Sequence, residues 1–197
     1  MLVLTISCNN TETIEAKQQS CNRPKYAIVI HGGAGTILKK NITPEKEKRY
    51  KEKLSEALNA GESILKNGGN SQDAVIAAIL IMEDSPLFNS GKGAVYTHTK
   101  THELDASFMD GATLNAGAVA GAKIIKNPIR AARLVMTNSP HVLLSGDGAG
   151  QFAIEQGLDT VSNSYFDDRS RRVEYDSGPR ERTALAATYA VNWLQKR

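Results

Sequence analysis

Apolar positions change rhythm several times along the chain. Lys25 to His31 (Lys-Tyr-Ala-Ile-Val-Ile-His) is short, apolar and β-branched, and Gly32-Gly33-Ala34-Gly35 ends it, which predicts a buried strand running into a glycine loop. Thr43 then offers an N-cap and Pro44 a first helical residue. Tyr50, Leu54, Ala57, Leu58, Gly61, Ile64 and Leu65 follow at helical spacing until Gly68-Gly69, an amphipathic helix. A second helix is predicted from a Ser71 cap to about Asp84, apolar on most sides and so buried between layers, with Pro86 closing it.

From Ala94 to Ile125 the period falls to two. Leu104, Ala106 and Phe108 share a face, Asp110-Gly111 makes a turn, and the small-residue run Ala116 to Ile125 returns, so these strands read as antiparallel. Asn127-Pro128 opens a helix to about Thr137, His141 to Ser145 is one more strand, and Gly148 to Gln156 a last short helix. The order is an α/β mixture with contiguous antiparallel strands rather than strict βαβ alternation.

Composition adds limits. With 41% hydrophobic and 23% charged residues in 197, the chain falls within the globular range. The net charge of +3 is small and its lysines and arginines are interleaved with acids, which argues against a nucleic-acid partner. No apolar run reaches the roughly 18 residues of a membrane span. Met1 to Cys8 reads as the end of a hydrophobic signal stretch closing on Ser7-Cys8, with a polar tether behind it. That pattern resembles a bacterial lipoprotein signal, with Cys8 the lipidation site and residues 1–24 a signal remnant and tether. It implies a periplasmic or membrane-anchored protein, a cytoplasmic one being the alternative. Residues 25–166 form the body. After Phe166, usage swaps from lysine to arginine: six of the ten arginines but one of the fourteen lysines fall in the last 31 residues. Residues 167–197 are therefore set apart, either as a stretch read in a changed frame or as an exposed linker with a helix from about Arg182 to Lys196.

The glycine loop is not a dinucleotide fingerprint, because position 38 is Leu and the next cap comes only at Thr43. Nor is it an esterase oxyanion loop, since no Gly-x-Ser-x-Gly elbow occurs. His31, Gly32, Gly33 and Gly35 remain as a loop that lets backbone approach backbone or ligand, with His31 read as a satisfied structural histidine before a catalytic base. His98 and His102 lie four apart in a threonine-rich stretch outside any helical pattern, which speaks against a metal pair. Glu103, Asp105 and Asp110 alternate with apolar residues and read as a solvated strand face.

Longer strings carry more. His31-Gly-Gly-Ala-Gly35, Ser85-Pro-Leu-Phe-Asn-Ser-Gly-Lys-Gly-Ala-Val95, Thr101 to Gly111, Ala116-Gly-Ala-Val-Ala-Gly121, Lys126 to Met136 and Ser139 to Ala149 resemble, in order and spacing, the α-subunit of plant-type asparaginases and isoaspartyl peptidases of the Ntn-hydrolase superfamily, over about residues 25 to 166. The resemblance implies an α+β fold, the αββα four-layer sandwich, of which this is the N-terminal part. It implies a precursor that cuts itself before a threonine, freeing that residue as the start of a β-subunit, and a complete enzyme that is a dimer of αβ units. The implied small-molecule substrates are L-asparagine and β-aspartyl dipeptides. Asn89 maps onto an asparagine beside the nucleophile. The backbone carbonyls of Met82, Glu83, Ser85, Phe88, Ser90 and Lys92 map onto a loop that holds a structural sodium ion, and no other cofactor is implied. The nucleophile of such enzymes lies in a Gly-Thr-Val-Gly-like string, which no threonine here has; Thr183 and Thr188 follow Arg and Ala. The resemblance therefore implies a chain inactive alone. An inactive truncated remnant and a non-catalytic, surface-tethered binding domain stand as the rival readings.

Overall fold

A threonine and a proline start the first helix. α1 spans Pro44–Lys66; Thr43 is extended, its hydroxyl accepts from the Lys46 N–H at 3.2 Å, and Pro44 takes a position where a missing N–H costs nothing. The computed structural model describes residues 25–33, 40 and 42–177. α2 spans Ser71–Glu83, but its cap lies one residue earlier than expected. Asn70 is the N-cap, its side-chain oxygen accepting from the Asp73 N–H at 2.8 Å, and Ser71 is already helical. The two helices cross where Gly61 leaves room: a Cβ there would fall 2.9 Å from the Ala74 carbonyl oxygen and 2.4 Å from Ile28 Cδ1.

The sheet is small and mixed. β1 (Leu104–Met109) pairs antiparallel with β2 (Ala116–Ala122), as the alternation and the turn at Asp110 predict, and β3 (Leu143–Ser145) joins the other edge of β2 in parallel. The antiparallel reading of 94–125 holds for β1 and β2, and β3, whose direction the pattern leaves open, adds a parallel pairing. α3 (Pro128–Asn138) carries the chain back along the sheet between β2 and β3, so the second pairing has to be parallel. β2 also stops at Ala122 instead of running to Ile125. Leu104 faces Ala122 while Ala106 faces Val119, so β2 holds an extra residue, with Gly121 at φ +61° in the bulge. The Asp105 carboxylate accepts the Gly121 N–H at 2.7 Å. Ile125 then makes a separate bridge to Thr160.

Helices cover one face of this sheet. α3 lies so close that a Cβ on Gly117 would come 2.3 Å from both the Ala132 carbonyl oxygen and the Met136 nitrogen. Phe108 points into the cluster shared with α1, α2 and α3. Leu104, Val119, Ile125 and Val135 form a second cluster with Phe166 and with Ala149 and Ala153 of α4 (Gly146–Glu155). On the opposite face Ala116, Ala118, Ala120 and Ser107 are only half-buried and Met109 is exposed. The architecture is α+β, and among the described residues no helix is long and apolar enough to cross a membrane.

One expectation fails at the start of the body. Residues 25–31 form no strand: Ile28 and Ile30 turn toward α1, but Val29 is 80% exposed and the backbone finds no ladder partner among the described residues, so the extended run stays single. Beyond Phe166, α5 (Arg169–Ser177) is mostly exposed but bonds back to the body. Arg171 Nε donates to the Gly93 carbonyl at 2.8 Å and the Tyr175 hydroxyl to that of His98 at 3.2 Å. Cys8, Gly35, Thr183, Thr188 and the helix expected from Arg182 to Lys196 lie outside the described residues.

Candidate functional site

The turn that follows α2 gathers most of the residues singled out in the sequence. α2 ends at Glu83 and Asp84, Pro86 prevents its continuation, and Gly91–Gly93 form a short 3-10 turn. Two glycines let this loop close on itself. Gly91, at φ +51°, lies where a Cβ would meet the Glu83 carbonyl oxygen at 2.3 Å. One on Gly93 would meet the Phe88 oxygen at 2.0 Å and the Pro86 oxygen at 2.8 Å. The Met82 carbonyl accepts from Ser85 N–H at 3.2 Å, Phe88 from Ser90 N–H at 2.9 Å, and Ser90 from Gly93 N–H at 3.1 Å. Met82, Glu83, Ser85 and Phe88 are buried, Ser90 is half-buried and Lys92 exposed, its ammonium 5.5 Å from the centre of the Tyr165 ring.

Packing fixes the loop from outside. The Tyr50 hydroxyl donates to the Leu87 carbonyl at 2.8 Å and its ring meets Phe88 edge-on at 5.7 Å. Asn89 is half-buried, its side-chain oxygen accepting the Val95 N–H at 3.0 Å. The glycine loop comes here too: a Cβ on Gly32 would lie 3.0 Å from Leu54 and 3.5 Å from the Phe88 ring, and Gly33 has φ +129°. Gly32 and Phe88, far apart in sequence, thus share one corner. The His31 side chain is exposed, not enclosed as a satisfied structural histidine would be, because the single extended run before it places every second residue outward.

Sequence reasoning missed the Glu83 side chain. It is 2% exposed; one carboxyl oxygen accepts the Ile129 N–H at 3.0 Å, and the other has no partner among the described residues. Burial pushes this carboxyl up to about 8, with the Ile129 N–H pulling the other way. Its one signal was an acid ending a long apolar helix, which reads equally well as a helix terminus. A second missed node is His102, fully buried, with Nδ1 3.2 Å from the Val95 carbonyl and Nε2 3.2 Å from Asp167, which also accepts from the Tyr96 hydroxyl at 3.0 Å. Asn163 holds the His102 backbone from both sides, accepting its N–H at 2.9 Å and donating to its carbonyl at 2.8 Å. His98 is exposed in a turn, so the two histidines take separate roles.

Chemically, the arrangement offers backbone carbonyls packed against two glycines, one amide side chain and a glycine corner, a frame built mainly of backbone groups. Similarity to known proteins says what kind of frame. The family model for asparaginase matches residues 24–192. The isoaspartyl peptidase of Salmonella typhimurium is 50% identical over 147 residues, 75% of this chain and 47% of that protein. The Escherichia coli isoaspartyl peptidase is 49% identical over 142 residues, 72% and 44% of the two chains. A plant-type L-asparaginase of Pyrococcus abyssi is 50% identical over 132 residues, 67% and 42%. The chain spans about half the length of the curated relatives it matches. A match over most of the chain, at this identity and through the loop just described, means that the chain belongs to the asparaginase family.

Proposed function

We propose that these residues are the scaffold, α-subunit half of an N-terminal-threonine amidohydrolase acting on L-asparagine and β-aspartyl dipeptides. The observation that supports this is the 50% identity over 147 residues to the isoaspartyl peptidase of Salmonella typhimurium and 49% over 142 residues to that of Escherichia coli. A threonine hydroxyl is a weak nucleophile, and its own α-amine is a base within reach. In this reading that threonine comes from a β-subunit or C-terminal half. Asn89 stands beside it, and the helix-free face of Ala116, Ala118 and Ala120 receives a second sheet to complete an αββα sandwich, two αβ units forming the dimer.

The 82–93 loop fits a monovalent cation. Gly91 and Gly93 let the carbonyls of Glu83, Pro86 and Phe88 approach where a Cβ would otherwise sit, and carbonyl oxygens suit a hard ion. Met82, Glu83, Ser85, Phe88, Ser90 and Lys92 would hold sodium through backbone oxygens. The ion supplies no reactive group there; it holds the loop, and so Asn89, in place.

The test is ammonia release. The purified 197-residue chain is expected to hydrolyse neither asparagine nor β-aspartyl dipeptides, since loss of a nucleophile typically removes about 10⁶-fold of rate. Mixed or co-expressed with a β-subunit that begins with its threonine, it is expected to gain activity. Ammonia release by the lone chain refutes the assignment of the nucleophile to another segment, and a mixture that stays inactive refutes the scaffold role.

A further inference from the structure

The buried carboxyl of Glu83 has a place that neither the cation loop nor the chemistry above requires. Its main chain closes α2 and turns its carbonyl to Gly91, where an added Cβ would lie 2.3 Å from the Glu83 carbonyl oxygen and 2.9 Å from the Glu83 Cα; its side chain reaches the other way, into α3. α3 needs it. Asn127, the N-cap, makes no side-chain cap to its own helix, its amide donating instead to Asp84 at 3.1 Å. Arg130 N–H is taken by the Asn127 carbonyl at 3.1 Å, and the Ile129 N–H is taken by Glu83 at 3.0 Å. Helix α3 is therefore capped from a different element, 46 residues earlier in the chain.

We propose that Glu83 is a positioning residue that couples the cation loop to helix α3, by offering its carbonyl to the loop and its carboxyl to the first turn of the helix. The inference rests on the loop being a cation site. One residue serves both ends, so a restraint on its main chain is felt at its side chain within a single set of torsions. α3 in turn lies against Gly117 of β2, so the first turn of α3 is the link between the loop and the sheet.

Amide exchange followed residue by residue tests the coupling on the whole chain, in sodium chloride and in tetramethylammonium chloride. In the native chain, removing sodium is expected to speed exchange in residues 84–93 and also at Ile129. Glu83→Gln keeps an acceptor oxygen and should keep both responses. Glu83→Leu should speed Ile129 exchange on the order of tenfold in either salt, the effect of losing a cap, while residues 84–93 still respond to sodium. A loop that responds while Ile129 does not, or an Ile129 response that survives in Glu83→Leu, overturns the coupling alone. If neither responds in the native chain, the cation reading fails and the coupling with it. The native arm decides the matter even where the leucine variant does not fold.

Discussion

Two apolar segments of similar length end in different states. β2 (116–122) has β1 on one side, β3 on the other and α3 against one face, and its Val119 and Ala122 are buried. Residues 25–31 are richer in β-branched side chains, yet only Ile28 and Ile30 are half-buried and Val29 is left at 80% exposure. Strand propensity therefore did not decide which segment became a strand; the supply of partners did, as expected when pairing and burial outweigh intrinsic preference. The uncovered sides of the molecule agree with this. Val142 and Leu143 at the β3 edge are 70% and 52% exposed, so the edge strand and the single extended run leave apolar side chains and ladder groups open.

The paired side is where the largest effect is expected. Gly117→Ala places a Cβ 2.3 Å from the backbone of Ala132 and of Met136, and backbone yields less readily than a side-chain tip. An alanine in a strand usually gains about 0.5–1 kcal/mol over glycine from backbone entropy. The overlap outweighs that, and a net loss on the order of 3 kcal/mol is expected, read as a fall in the urea midpoint. A neutral or raised midpoint would mean that α3 does not press on β2, and the contrast between the segments would lose its basis.

What was legible in the sequence follows the same division. α1, α3 and the β1–β2 hairpin were readable because each carries its own signal: Thr43-Pro44, Asn127-Pro128, and alternation about Asp110-Gly111. The parallel join of β3 was not, since three residues hold no pairing direction, nor was the bulge at Gly121, where one glycine among alanines gives no warning. At the candidate site the strings around Asn89 and the glycines were visible as strings. The side-chain roles of Glu83, His102 and Asp167 were not, because each depends on a partner distant in sequence: Ile129, Asp167 and Tyr96. Asp167 also falls just beyond the composition boundary drawn at Phe166, although it bonds back to Tyr96 across 71 residues of chain.

A smaller effect separates charge from packing on the covered side. Arg133 of α3 donates to Asp73 of α2 at 2.7 Å, and this bond first, then that from Asn70, holds the Asp73 carboxyl below its usual 3.8. The folded pKa is the lower one, so the pair stabilises above pH 3.8 and its contribution is lost as pH falls through the depressed value. Both side chains are over a third exposed, so solvent screening limits the pair to less than about 1 kcal/mol. Thermal melts of Asp73→Asn against the native chain should differ slightly at pH 7, converge toward pH 2.5, and also converge in about 1 M salt. A difference that persists in acid would assign the loss to the Asn70 cap and not to the ion pair.

The smallest effect on the isolated chain is expected at Val29, and it bears most directly on the comparison. A lysine at a position 80% exposed removes almost no buried area, so Val29→Lys should leave the melting temperature and the urea midpoint of the 197-residue chain within about 0.5 kcal/mol of native. The same change at an inward position of β2, Val119 at 1% exposure, would bury an unpaired ammonium and could not be silent. Val29 is silent only while its outward face has no partner. If residues 25–31 become a strand when a β-subunit is added, Val29 moves between layers, and the lysine must then be desolvated. Reconstitution with a β-subunit should therefore fail, or weaken by at least tenfold, in Val29→Lys while the variant stays as stable alone as the native chain. Equal reconstitution would show that the outward face of 25–31 stays open to water in the assembled protein, and that pairing is not what this segment lacks.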